Sequence, residues 1–181
     1  MASFDLYFPT EEVKLEGEAY EVVPGDSGGC TRFGLTLDDV KEYHVDVDHN
    51  GLFDCNDVKA LDKPIAGKIL KALYWDYFKA DQIPQQSLAE YIVDSGLNQG
   101  RILIVKYLQA ILGVEIDGHY GPGTLAALLD HIKVDDGKEE FIELHQKRLE
   151  RYHAIVASRP SQSKFIKGWI NRLNAITYHS N

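Results

Sequence analysis

The sequence predicts a mainly α fold with at most one small β-hairpin. Three observations carry this. Apolar residues recur at helical spacing through most of the chain beyond residue 36. Glycine and proline crowd into one early stretch, residues 18 to 35, which holds five of them. No internal repeat or low-complexity segment suggests a solenoid or a disordered tail.

The elements follow in order. Pro9 suits a first helical turn, and TEEVKLEG continues it as a short helix. Residues 18 to 35 then read as loop plus a short hairpin. LTLDDVKEYH is expected to be helical, with Thr36 as its cap. Residues 46 to 57 form a polar, acidic loop. IAGKILKALYWDYF is a strongly apolar helix near the core, with Tyr74, Trp75, Tyr77 and Phe78 as its buried stripe. SLAEYIVDSGLNQG and RILIVKYLQAILG are two helices parted at Asn98-Gln99-Gly100. A turn, IDGHYGPG, leads into TLAALLDHI. Residues 138 to 157 form a long amphipathic helix that Pro160 interrupts, and SKFIKGWINRLNAITYH closes the chain, with Trp169 packing the last helix. A change in composition near residue 100 predicts two lobes, 1–98 and 99–181, within one compact unit.

Bulk properties exclude several functions. The 181 residues are enough for one domain with a core. A net charge of −9 argues against nucleic acid as a partner and against simple attraction to anionic wall polymers. No apolar run is long enough to span a membrane. MASFDLYFPTEEV lacks a basic n-region and an apolar h-region, so no secretory signal is expected. Cys30 and Cys55 fit neither a disulfide framework nor a zinc site and read as two unpaired, partly buried thiols. The seven histidines show no metal-binding spacing, which argues against a zinc amidase or peptidase.

The stretch DVDHNGLFDCND places oxygen ligands at the alternating positions of an EF-hand-like calcium loop. They are Asp46, Asp48, Asn50, the Leu52 carbonyl, Asp54 and Asp57, with Gly51 at the sharp bend. Aspartate rather than glutamate at the last position resembles dockerin modules. One such loop alone predicts a single structural Ca2+ site rather than a sensor, because paired hands are what open a calcium switch.

Residues 15 to 36, LEGEAYEVVPGDSGGCTRFGLT, gather Glu16, Asp26 and Thr31 around a glycine-rich turn. A partly desolvated carboxyl keeps its proton and can donate it. A second carboxylate with a neighbouring hydroxyl can orient a water molecule, and two carboxylates in these roles cleave glycosides. Gly28 and Gly29 let the backbone turn sharply there.

That stretch resembles the signature of glycoside hydrolase family 108, peptidoglycan-cleaving N-acetylmuramidases of phage endolysins and of bacterial proteins labelled secretion activators. The family pattern runs E-G-G-Y, then N-D-P-x-D-x-G-G-x-T-x-x-G-I-T. Here Glu16-Gly17-Glu18-Ala19-Tyr20 is followed by Pro24, Asp26, Gly28, Gly29, Thr31, Gly34 and Thr36. The segment is one residue longer, so Glu18 competes with Glu16; Glu-Gly at the helix end favours Glu16. ALYWDYFKADQIP, IVDSGLNQG, LQAILGVEIDGHYGPGTLAAL and FIKGWINRL resemble further family segments, the third a predicted peptidoglycan-binding part.

The resemblance implies a lysozyme-like helical bundle acting on peptidoglycan glycan strands. Glu16 would be the general acid, with Asp26 and Thr31 positioning water. Tyr20 and Asn98 are the candidate sugar contacts, Tyr20 by stacking and Asn98 on an acetamido group; burial of Tyr20 and a helix-end role for Asn98 stay open beside these. A non-catalytic peptidoglycan-binding module and a lytic transglycosylase are the alternatives. A monomer made in the cytoplasm and released to the wall by a holin-type or other route is expected.

Overall fold

The computed structural model describes residues 1–8, 19–22 and 29–180. The expected helix from Pro9 to Gly17 lies outside these residues, and so do Glu16, Glu18, Pro24 and Asp26. The described chain forms two compact units, Ser3–Phe78 and Met1–Ala2 with Lys79–Asn181.

The first unit contains α1 (Phe4–Tyr7), β1 (Glu21–Val22), β2 (Cys30–Arg32), β3 (Leu35–Thr36), α2 (Leu37–Tyr43), α3 (Cys55–Ala60) and α4 (Lys63–Leu70). The strands make an antiparallel sheet in the order β1-β2-β3. The expected hairpin therefore carries a third strand. Gly34, at φ 75°, turns β2 into β3, a backbone angle that costs glycine little. Thr36 caps α2 as expected. Its side chain accepts from the Asp39 N–H, and Asp39 reaches back to the Thr36 N–H in a capping box. Asp62 caps α4, where proline occupies the first turn.

Helix α4 runs on into a π-helical turn, Lys71–Trp75. That turn aims the aromatic stripe inward. Tyr74, Trp75 and Phe78 are buried, while Tyr77 is half-buried. Trp75 stacks on Tyr7 with centroids 5.6 Å apart and takes the edge of Phe4. Gly67 lets α4 approach Phe8, since a Cβ there would sit 2.7 Å from the Phe8 ring.

The second unit is helical: α5 (Gln86–Gln99), α6 (Arg101–Ile111), α7 (Pro122–His131), α8 (Lys138–Ser158) and α9 (Ile166–Leu173). Gly100, at φ 93°, parts α5 from α6 at a single residue. Pro160 ends α8 and opens a 3-10 turn that delivers the chain to α9. The core is drawn from Leu88, Ile92, Ile104, Leu108, Leu128 and Leu144, all fully buried.

Cys30 and Cys55 are not free thiols. They form a disulfide with Cα atoms 5.9 Å apart. This corrects the sequence expectation. Two cysteines separated by 25 residues make no framework by themselves, and only the packing of β2 beside α3 brings them together.

Candidate functional site

Thr31 sits on the central strand of the sheet. It is paired with Glu21 on one side and Thr36 on the other. Residues directly opposite in an antiparallel pair place their side chains on the same face. Glu21, Thr31 and Thr36 thus form one row across the sheet. The Thr36 hydroxyl is tied down, donating to Asp39 Oδ2 at 2.7 Å, and the Tyr74 hydroxyl donates to Asp39 Oδ1 at 2.5 Å. The exposed Glu21 carboxylate beside Thr31 was not singled out from the sequence. Only strand register reveals it, because one alternating step is too short to read. Tyr20, half-buried, directly precedes this strand.

The acidic loop leads into α3. Asp46, Asp48 and Asp57 bring carboxylate oxygens within 4.8 Å of one another. Two ligands on one Ca2+ at about 2.4 Å bonds lie at most about 5 Å apart, so this trio fits a shared cation. The backbone wraps around the same groups. Gly51 and Asn50 donate N–H to Asp46, and Val47 donates to Asp57 Oδ1 at 2.7 Å. Gly51 bends the loop at φ 82° as expected. Asp57 is fully buried and also accepts from the Asp54 N–H at 2.9 Å. Asp54 caps α3 through the Asn56 N–H, and Asn50 Oδ1 accepts from the Leu52 N–H. These two side chains act within the loop rather than in the carboxylate trio.

Asn98 lies near the end of α5 in the second unit and is exposed. Its Oδ1 accepts from the Tyr152 hydroxyl, which turns the NH2 end of the amide away from Tyr152. This contact is the last rung of a polar ladder. Tyr91 meets His145 at 3.1 Å and Asp94 accepts from Arg148 at 2.9 Å, so each rung joins residues 54 apart. The rungs fall at one spacing on both helices, so α5 and α8 run parallel there, each presenting one face. Arg172 of α9 donates to the other Asp94 oxygen at 2.6 Å.

Asp94 and Arg148 are fully buried. Burial pushes the Asp94 carboxyl up from the usual range, and the Arg148 charge and hydrogen bond pull it back. Burial is the largest single influence on Arg148 and opposes its charge, but Asp94, Tyr91 and Tyr152 together raise the guanidinium further. Two guanidinium donors on one carboxylate favour the ionised triad. Among the described residues Arg148 Nε and Nη1 have no hydrogen-bond partner, and the guanidinium lies over the Tyr91 ring at 4.8 Å. The Tyr91 hydroxyl is pushed up by burial, against the pull of Arg148. Trp169 stacks on Tyr152 with centroids 5.2 Å apart and secures α9 to α8.

Comparison with known proteins gives these features a context. The family described as Glycosyl hydrolase 108 matches residues 11–100, and the one described as Predicted Peptidoglycan domain matches residues 104–174. The solved structure of Brucella abortus SagA is 29% identical over 96% of this chain and 90% of that chain, with a TM-score of 0.75. No curated protein matches the chain. With its Glu…Asp…Thr stretch and its C-terminal helices falling within these two matches in turn, the chain carries a glycosyl hydrolase 108 segment followed by a predicted peptidoglycan domain.

Proposed function

We infer that the protein is a lysozyme-type N-acetylmuramidase, cleaving the β-1,4 bond from N-acetylmuramic acid to N-acetylglucosamine. The family match over residues 11–100, which contains Glu16, Asp26 and Thr31, carries this reading. Glu16 gives its proton to the glycosidic oxygen as the bond to the anomeric carbon breaks. A water held by Asp26 and Thr31 adds its oxygen to that carbon and passes its proton to Asp26, so the product has a reducing end. Residues 1–98 form the catalytic lobe. Residues 99–181 form the lobe that holds the glycan strand, in keeping with the family match over 104–174. Tyr20 and Asn98 contact the sugars. The protein acts as a monomer on the cell wall, as a phage endolysin does, after holin-type release.

The acidic trio fits a calcium ion. Asp46, Asp48 and Asp57 would hold it with Asn50, the Leu52 carbonyl and Asp54. The ion would neutralise the carboxylates and fix the loop between α2 and α3.

Digestion of purified sacculi, followed by mass spectrometry of the fragments, tests the reaction. Reducing ends are expected. Anhydro-muramic ends would make the protein a lytic transglycosylase, and intact sacculi a binding module. Glu16→Gln is expected to lower turnover at least ~100-fold, the usual contribution of a positioned acid, and Glu18→Gln to leave most of it. The reverse result moves the acid to Glu18.

A further inference from the structure

Strand β2 is tied to α3 on both sides of Thr31. Cys30, only 1% exposed, is bonded to Cys55, the first residue of α3. One turn further along that helix, the Lys59 carbonyl accepts from Arg32 Nη1 at 2.5 Å. Side chains alternate along a strand, so Cys30 and Arg32 face α3 while Thr31 faces the other way. The same bond reaches the acidic loop. Cys55 lies between Asp54, the cap of α3, and Asp57, whose carboxylate closes the loop onto Val47 and Asp54. One covalent bond therefore sets both the strand that carries the candidate hydroxyl and the residue that closes the loop.

We propose that the Cys30–Cys55 disulfide is a redox lock on the peptidoglycan-cleaving site. Oxidised, it holds β2 against α3, with Thr31 turned to the site face and the loop closed. Reduced, the unit keeps its fold through the Arg32 contact, the Thr36–Asp39 capping box and the aromatic core, but β2 and the loop loosen and cleavage slows. The proposal rests on reading Thr31 as part of the site.

The chemistry is thiol–disulfide exchange with an external dithiol–disulfide oxidoreductase. One cysteine thiolate attacks the donor disulfide and expels a donor thiolate. The second cysteine then attacks the mixed disulfide and expels the other. Two electrons pass to the donor, and the two cysteine protons end on the donor thiols. The cytosol keeps thiols reduced, whereas peptidoglycan lies in compartments where disulfides persist. Activity would thus rise where the substrate is.

The test uses the full chain in three states: oxidised, reduced with dithiothreitol to two titratable thiols, and reoxidised with oxidised glutathione. Release of reducing ends from sacculi, far-ultraviolet circular dichroism and amide hydrogen exchange are followed in each. On reduction, kcat/KM is expected to fall at least tenfold with the far-ultraviolet spectrum retained. Exchange should quicken at residues 29–36 and 46–57 and return on reoxidation. The Cys30→Ser/Cys55→Ser double variant should match the reduced protein and ignore dithiothreitol. A reduced protein that cleaves at the oxidised rate overturns the proposal. So does exchange that quickens throughout the first unit, which would make the bond a staple of the whole fold. If oxidised protein releases no ends, the muramidase reading fails, and the lock stands or falls on the exchange pattern alone.

Discussion

At the scale of single residues, Asp57 has the most to reconcile. It is a fully buried carboxylate that accepts two short backbone hydrogen bonds and faces two further carboxylates within 4.8 Å. Like charges so close repel unless a cation joins them. Calcium bound only by the folded loop stabilises by an amount that grows with the logarithm of its free concentration over its Kd, about 2.7 kcal/mol at a hundredfold excess. Chelation of calcium-loaded protein is therefore expected to lower the melting temperature by roughly 5–10 °C for a chain of this size. Calcium should restore it. The Asp57→Ala variant should start low and ignore both treatments, as read by differential scanning calorimetry. An unchanged melting temperature in demonstrably metal-free protein would remove calcium from the loop. The oxygen spacing was legible in the sequence. That Asp54 serves the helix as its cap was not, because an aspartate before a helix and an aspartate in a ligand loop look alike until the chain turns.

At the scale of elements, the helices were largely legible because their signals are local: Thr36 as a cap, and Asn98-Gln99-Gly100 between two apolar runs; the Asp62 cap ahead of Pro64 went unread. The ladder between α5 and α8 was not, since its rungs join residues 54 apart and neither helix alone marks them. The disulfide escaped for the same reason. The ladder has measurable consequences. Asp94→Asn leaves two guanidinium groups facing a neutral amide, one of them fully buried, and is expected to cost about 3–5 kcal/mol in urea unfolding. Arg172→Gln should cost less, because Arg172 is 11% exposed and Arg148 still serves the carboxylate. A second consequence concerns acid. Burial, with the Arg148 charge beside it, holds His145 below its ordinary value of 6.5, and its Nδ1 meets the Tyr91 hydroxyl. The unfolded chain then binds the proton more readily than the folded one. The His145 contribution is complete above the ordinary value and is lost as pH falls from there toward the folded value. Between pH 7.5 and 5.5 the wild type should lose more stability than His145→Gln in parallel urea titrations. Equal losses would assign the acid sensitivity to other groups.

At the scale of the whole molecule, the charge is divided unevenly. Residues 1–98 hold 8 basic against 19 acidic residues, a net −11, while residues 99–181 hold 11 against 9, a net +2. The segment that contains Glu16 is thus repelled by anionic wall polymers, and the segment matched by the peptidoglycan domain is close to neutral. Such a division suits a protein that grips the uncharged features of a glycan strand rather than being drawn to the wall by long-range attraction. It also fixes the sign of a salt effect. The Debye length falls from about 30 Å at 0.01 M to about 8 Å at 0.15 M ionic strength, which screens the repulsion between the acidic segment and the wall. Turnover of sacculi that retain their anionic polymers should therefore rise across this range through a lower KM, with kcat unchanged. Sacculi stripped of those polymers should show little change. A cationic lytic enzyme held by Coulomb attraction would lose affinity over the same interval. If this protein also loses it, the near-neutral C-terminal segment contributes a basic contact to the wall that outweighs the acidic half.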